Sequence, residues 1–297
     1  MKFQLQNDKL KIEVLKKGAE LSRITAVKHN TEFMWDANPD VWGSYAPNLF
    51  PIIGTLKDGE FVFENVHYKL PKHGLVRNND TVELENKTDN SLVFKLVSNQ
   101  SILEQYPFNF EFHISFTLDN NTIEIEHLVK NCGDNRMYFS VGGHPAFKCP
   151  VFKDEVYDDY FLEFEHSENS VSHLLNTENG LMSSRTKPVL NNTNTLPLRH
   201  QLFDEDALVF KDLTSRKVAL NSKKNGNILS IAFKDFPYLG IWAKPNGDYV
   251  CIEPWLGIGD HENTNQNLIE KEGILPLEAG KNFKATYSIT INDKHLV

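Results

Sequence analysis

Only three cysteines occur in the 297 residues, Cys132, Cys149 and Cys251, and no two of them share a Cys-x-x-Cys spacing. So sparse and odd a set argues against a disulfide framework and against a structural zinc site. Positive charge is also in short supply. The formal charge is −9 and the pI about 5.7, which gives nucleic acid or an acidic membrane no electrostatic hold. No apolar run is long enough to span a bilayer, and the opening Met-Lys-Phe-Gln-Leu-Gln-Asn-Asp lacks an apolar signal core. A cytoplasmic protein, monomeric or homodimeric, is expected. His-Glu-x-x-His, Gly-x-Ser-x-Gly and a phosphate-cradling glycine loop are all missing, so the expectation is no metal and no cofactor. What remains is acid–base chemistry on a small molecule.

Long amphipathic helical patterns are missing too, and two-residue alternation takes their place. Leu10, Ile12 and Val14 alternate with Lys11 and Glu13. Phe108, Phe110, Phe112, Ile114, Phe116 and Leu118 alternate with polar residues, Asp119-Asn120-Asn121 turns the chain, and Thr122–Lys130 returns. This predicts a hairpin with one wet and one dry face, with His113 and His127 on the polar phase or at edges. A hairpin is expected around Asn65, a single helical turn over Ser101–Tyr106, and a buried irregular loop over Ala46–Gly54. Ser167–His200, rich in Ser, Asn and Thr, reads as loops over one end of the sheets. With 20 phenylalanines and 40% apolar residues there is ample material for a core. Many strands at short spacing, with no linker between them, predict an all-β protein, one large antiparallel sandwich domain over residues 1–297.

Two stretches present chemistry. Tyr249–Asp260 begins as a buried strand and places Glu253 after an apolar run, with Pro254 expected to mark a strand end or bulge and Trp255 offering an aromatic face. A glutamate there could also simply pair with a lysine. His144 stands between Gly142-Gly143 and Pro145, a rigid turn that can present one imidazole, or one that merely bonds backbone. His73 sits in a similar loop between Lys72 and Gly74, with Arg77 close behind.

These words, in this order, resemble the aldose 1-epimerase (galactose mutarotase) family, and most of all its lactose-operon branch. They are Asn48-Leu49-Phe50-Pro51-Ile52-Ile53-Gly54, Lys72-His73-Gly74-Leu75-Val76-Arg77, Gly142-Gly143-His144-Pro145-Ala146-Phe147, Asp206-Ala207-Leu208-Val209-Phe210, Phe236-Pro237-Tyr238-Leu239-Gly240-Ile241-Trp242 and Cys251-Ile252-Glu253-Pro254-Trp255-Leu256-Gly257. The resemblance implies a galactose mutarotase-like supersandwich with a sugar cleft and an exchange of α and β anomers through the open chain. It makes Glu253 the base at the anomeric hydroxyl and His144 the acid at the ring oxygen. His73, Asp206 (rather than Asp204) and Trp242 become sugar contacts, and Asn48, Arg77 and Lys57 are added as substrate-binding residues. One departure stands out: where relatives carry an arginine after Ile-Gly, this chain has Thr55, and Lys57 or Arg77 would have to supply the charge. Three alternatives follow. The chain could be a sugar-binding protein without turnover, a glycoside hydrolase using Glu253 and Asp206, or an enzyme for a phosphorylated sugar gripped by Lys57, Lys72 and Arg77.

Overall fold

Alternation becomes pairing in a computed structural model that describes residues 1–297. Phe110–Asp119 and Thr122–Asn131 form an antiparallel hairpin in which Leu118 faces Ile123 and Phe116 faces Ile125. Phe108 is buried but precedes the strand. The hairpin at residues 60–69 closes on Glu64 and Asn65, both at positive φ, as a tight two-residue turn requires. One helical turn, Gln100–Leu103, is capped by the Asn99 side chain accepting from Ile102 N–H.

The main sheet has fifteen strands, all antiparallel in their pairings. From one edge it runs Asn48–Leu49, Gly142–Gly143, Tyr249–Trp255, Tyr238–Trp242, Leu208–Phe210, Tyr160–Leu175, Lys217–Ser222 and Gly226–Ala232. It continues through Asn282–Ile291, Thr122–Asn131, Phe110–Asp119, Ser91–Val97 and Glu83–Lys87. A three-stranded sheet from the first 26 residues packs its apolar side into the same core of 72 buried residues. The fold is a large antiparallel β structure, as expected.

Four expectations need correction. Residues 167–200 are not loops: Tyr160–Leu175 and Met182–Pro197 are two paired sixteen-residue strands. Their alternation is hidden because Glu168, Ser170 and Ser172 occupy the buried phase of the first strand. Those polar groups are satisfied by residues distant in sequence: Glu168 accepts from Thr214 and Ser215, and the Ser172 hydroxyl accepts from Val209 N–H. Residues 46–54 are not wholly irregular, since Asn48–Leu49 pairs with Gly142–Gly143. His127 is on the dry phase with Ile123, Ile125 and Val129, and it is fully buried. Finally, Pro254 does not end its strand. Tyr249–Trp255 runs through it, every residue buried, with Tyr238–Trp242 on one side. The interruption falls on the other side, between Gly142–Gly143 and Ala146–Lys148, where His144 and Pro145 lie.

Candidate active site

That interruption builds the site. Because the neighbouring strand breaks at His144, its imidazole can turn toward Glu253 instead of joining a regular ladder. Backbone fixes the turn on both sides: His144 N–H donates to Pro47 O at 3.1 Å and Ile252 N–H donates to Pro145 O at 3.1 Å. His144 Nε2 then lies 3.2 Å from Glu253 Oε2. The two are 6% and 1% exposed, at the floor of a cleft lined also by Trp42, His73, Asp206 and Trp242. The approach is off the ring N–H direction, so Glu253 Oε2 has no aligned hydrogen-bond donor and stays open to a ligand.

Aromatic rings hold the imidazole. Trp42 stacks on it with centroids 5.0 Å apart, and Trp242 and His73 meet it edge-on at 5.8 and 5.5 Å. Trp42 had no signal in any periodic stretch; only an aromatic beside a glycine in a patternless segment, Trp42-Gly43, hinted at it. His73 sits at φ +67, a strained backbone for a histidine, and its Nδ1 is tied to Gly54 N–H. Asp206, also at positive φ, lines the cleft, whereas Asp204 is exposed outside it. Lys72 and Arg77 complete the polar lining. Arg77 lies 6.0 Å over Trp42 and donates to Ser44 Oγ at 3.2 Å. Leu175, Gly180 and Met182 form a wall contributed by the long hairpin that the sequence hides.

Two expected contacts are absent from the cleft. Asn48 is a buried strut: its amide donates to Gly18 O and Ala19 O, and its Oδ1 bonds His127 Nε2 at 2.9 Å. Lys57 turns away, its ammonium donating to Glu262 O at 3.0 Å and its backbone N–H to Asp260 Oδ2 at 3.0 Å. Thr55 faces the hairpin turn, and a Cβ built on Gly180 would stand only 3.1 Å from its hydroxyl.

The electrostatics of the cleft favour the neutral forms of both groups. Burial pushes Glu253 well above the usual carboxyl range, reinforced by Asp206 and opposed by Lys72, Arg77 and the Trp255 indole N–H. Burial pushes His144 well down, with Arg77 and Lys72 adding to the effect. A carboxylic acid beside a neutral imidazole holds as many protons as a carboxylate beside an imidazolium. The pair can therefore become base and acid without exchanging a proton with solvent. His144, Cys251 and Glu253 also offer donor atoms within 4.8 Å of one another. Burial drives the Cys251 thiol well up, however, and a thiol is a poor metal donor.

A family model described as aldose 1-epimerase matches residues 1–290. A curated relative, Protein LacX (plasmid) of Lactococcus lactis subsp. lactis, is 33% identical over 302 residues, covering 98% of this chain and 99% of its own. A solved structure described as a galactose mutarotase related enzyme from Lactobacillus acidophilus is 35% identical, with a TM-score of 0.92 over 98% of this chain and 97% of that one. A galactose mutarotase-like protein from Lactobacillus casei is 25% identical, with a TM-score of 0.91 over 98% and 100%.

Proposed function

The chain belongs to the aldose 1-epimerase family, and from that premise we propose that it interconverts the α and β anomers of an aldose. The observation that carries the reading is the 3.2 Å contact between His144 Nε2 and Glu253 Oε2 at the floor of the cleft. Opening a hemiacetal takes a proton from the anomeric hydroxyl and gives one to the ring oxygen. Both oxygens are bonded to C1, so the acid and the base must be close neighbours on one side of one carbon. A histidine touching a glutamate meets that demand; carboxylates set apart on either side of a glycosidic bond serve hydrolysis instead.

In this reading the sugar lies against Trp42 and Trp242, which suit the apolar face of a pyranose. Its hydroxyls accept from His73, Lys72 and Arg77 and donate to the Asp206 carboxylate. Glu253, as carboxylate, removes the O1 proton while His144, as imidazolium, protonates O5 and the C1–O5 bond opens. Rotation about C1–C2 presents the other face of the aldehyde. His144 then takes the O5 proton back as Glu253 returns one to O1, and the ring closes as the other anomer. The pair ends as it began.

One observation favours a second reading, a sugar-binding protein with little turnover: Thr55 carries no charge and Lys57 points out of the cleft. The test is anomer equilibration of freshly dissolved α-aldoses, free and phosphorylated, followed by polarimetry or NMR. Acceleration with at least one sugar supports the enzyme. Saturable binding without acceleration across the panel supports the binder.

A further inference from the structure

Trp255 lies two residues from Glu253 on the same strand, so both side chains project from one face. It lines the cleft and is 6% exposed, and its indole N–H makes no well-aligned hydrogen bond although the Glu253 carboxyl lies within its reach. A buried Trp N–H ordinarily finds one. The sheet also makes unusual room for this ring. Gly240 is the cross-strand partner of Glu253, and a Cβ there would stand 2.5 Å from Cη2 and Cζ2 of the indole. On the opposite side Gly142 is the partner of Trp255 itself, and a Cβ there would stand 2.9 Å from its Cδ1. The indole therefore fills the slot that a side chain opposite Glu253 would occupy. Within hydrogen-bonding reach of it is the Glu253 carboxyl, whose buried Oε2 lacks an aligned donor.

A donor and an acceptor placed side by side without an aligned bond matter most in one charge state. A neutral carboxyl can accept from an indole N–H but gains little by it. A carboxylate sealed from water needs every donor in reach, and a charge-assisted bond is about twice as strong as a neutral one. We propose that Trp255 is a positioning residue for Glu253, its indole N–H donating to the carboxylate whenever Glu253 is ionised and so holding it as the base. This rests on the anomer-exchange reading for its consequence in turnover, though not for the bond itself. The other charged or titratable groups bearing on Glu253 are His144, Cys251, Lys72, Arg77 and Asp206, and none is altered in the test.

Trp255→Phe keeps a ring in the slot and removes the N–H. Two readouts are taken on the whole protein. The first is the infrared carbonyl band of protonated Glu253, assigned by its loss in Glu253→Gln and titrated with pH; its midpoint should rise in Trp255→Phe. The second is anomer exchange, where kcat should fall about 10- to 100-fold, with KM within a few-fold and the acid limb of the profile moved to higher pH. Gly240→Ala, which drives the intact indole from its seat, should reproduce both changes. An unmoved midpoint overturns the proposal whatever happens to kcat, because a merely structural ring would lower stability alone. Should no aldose be turned over, the function reading fails and the infrared titration still decides this one.

Discussion

Gly54 and His73 hold each other by two reciprocal hydrogen bonds. His73 N–H donates to Gly54 O at 2.9 Å, and Gly54 N–H donates to His73 Nδ1 at 3.2 Å. Because Nδ1 accepts, the ring proton resides on Nε2, and burial keeps the imidazole neutral by pushing its pKa well down. The cleft thus receives a fixed donor from a backbone that is itself pinned.

His73→Asn tests this division of labour. An asparagine Oδ1 can stand where Nδ1 stands and keep the Gly54 bond, while the Nε2 donor disappears. One neutral hydrogen bond to sugar is worth about 1 kcal/mol, so KM should rise about fivefold with kcat little changed. A collapse of kcat at constant KM, measured by anomer equilibration, would show that His73 acts on the reacting atoms instead.

The acid–base pair makes the opposite prediction. Glu253→Gln and His144→Asn preserve shape and remove proton transfer, and each should cost about 10²- to 10⁴-fold in kcat. Sugar affinity, read by titration calorimetry, should stay within a few-fold. The double variant should lose little more than either single one, because base and acid serve a single step. Additive losses would mean that the two side chains work independently.

How much of this was legible beforehand depends on what pattern each residue sat in. The Phe110–Asp119 hairpin was readable because its buried phase is apolar throughout. The Tyr160–Leu175 strand was not, because Ser170 and Ser172 carry its buried phase, and their bonding partners lie about forty residues away. His144 and Glu253 stood out by their Gly/Pro and strand settings, yet only the strand pairing shows that the break is beside Glu253 and not at Pro254. Trp42 reaches the site from a segment without period. Asn48 sat in the right motif for the wrong reason.

Asn48 turns that correction into a measurement. Its amide ties the turn at residues 18–19 to the strand edge and gives buried His127 its partner; burial drives that imidazole down to about 3, so it stays neutral. Asn48→Ala strands two carbonyls and a ring N–H in the interior. It should cost about 2–4 kcal/mol in denaturant unfolding and leave the KM of the folded protein unchanged. A raised KM with unaltered stability would restore Asn48 as a sugar contact.

His113 supplies a pH prediction on the far side of the sheet. Its two ring nitrogens each lie 2.9 Å from a carboxylate, Glu85 and Glu111. Hydrogen bonds from His113, then from Lys130, bring Glu111 from 4.5 down to about 2. A depressed folded-state pKa contributes stability that is complete above pH 4.5 and disappears as pH falls toward 2. Partial exposure and salt reduce its size. Glu111→Gln should flatten the stability–pH curve between those limits, as followed by urea unfolding at several pH values. An unchanged slope would remove Glu111 from the acid response.

Behind the cleft, Lys271 Nζ and Asp260 Oδ1 are 2.6 Å apart with side chains only 4% and 3% exposed. Burial lowers the Lys271 pKa while Asp260 works to raise it, so the lysine depends on that carboxylate. The pair does more than balance charge. Asp260 Oδ2 accepts from Lys57 N–H, Asp260 N–H donates to Thr55 O, and Met182 N–H donates to Asp260 O. One carboxylate residue thereby joins the Gly54–Lys57 segment, Thr55 included, to the long hairpin. Removing one partner leaves the other charge buried alone, so Lys271→Met should destabilise the fold by about 3–5 kcal/mol. Lys271→Met with Asp260→Asn should recover part of that loss, since the amide can keep the Lys57 bond without a stranded charge. If the double variant is no more stable than Lys271→Met alone, the pair is not what secures this corner of the cleft.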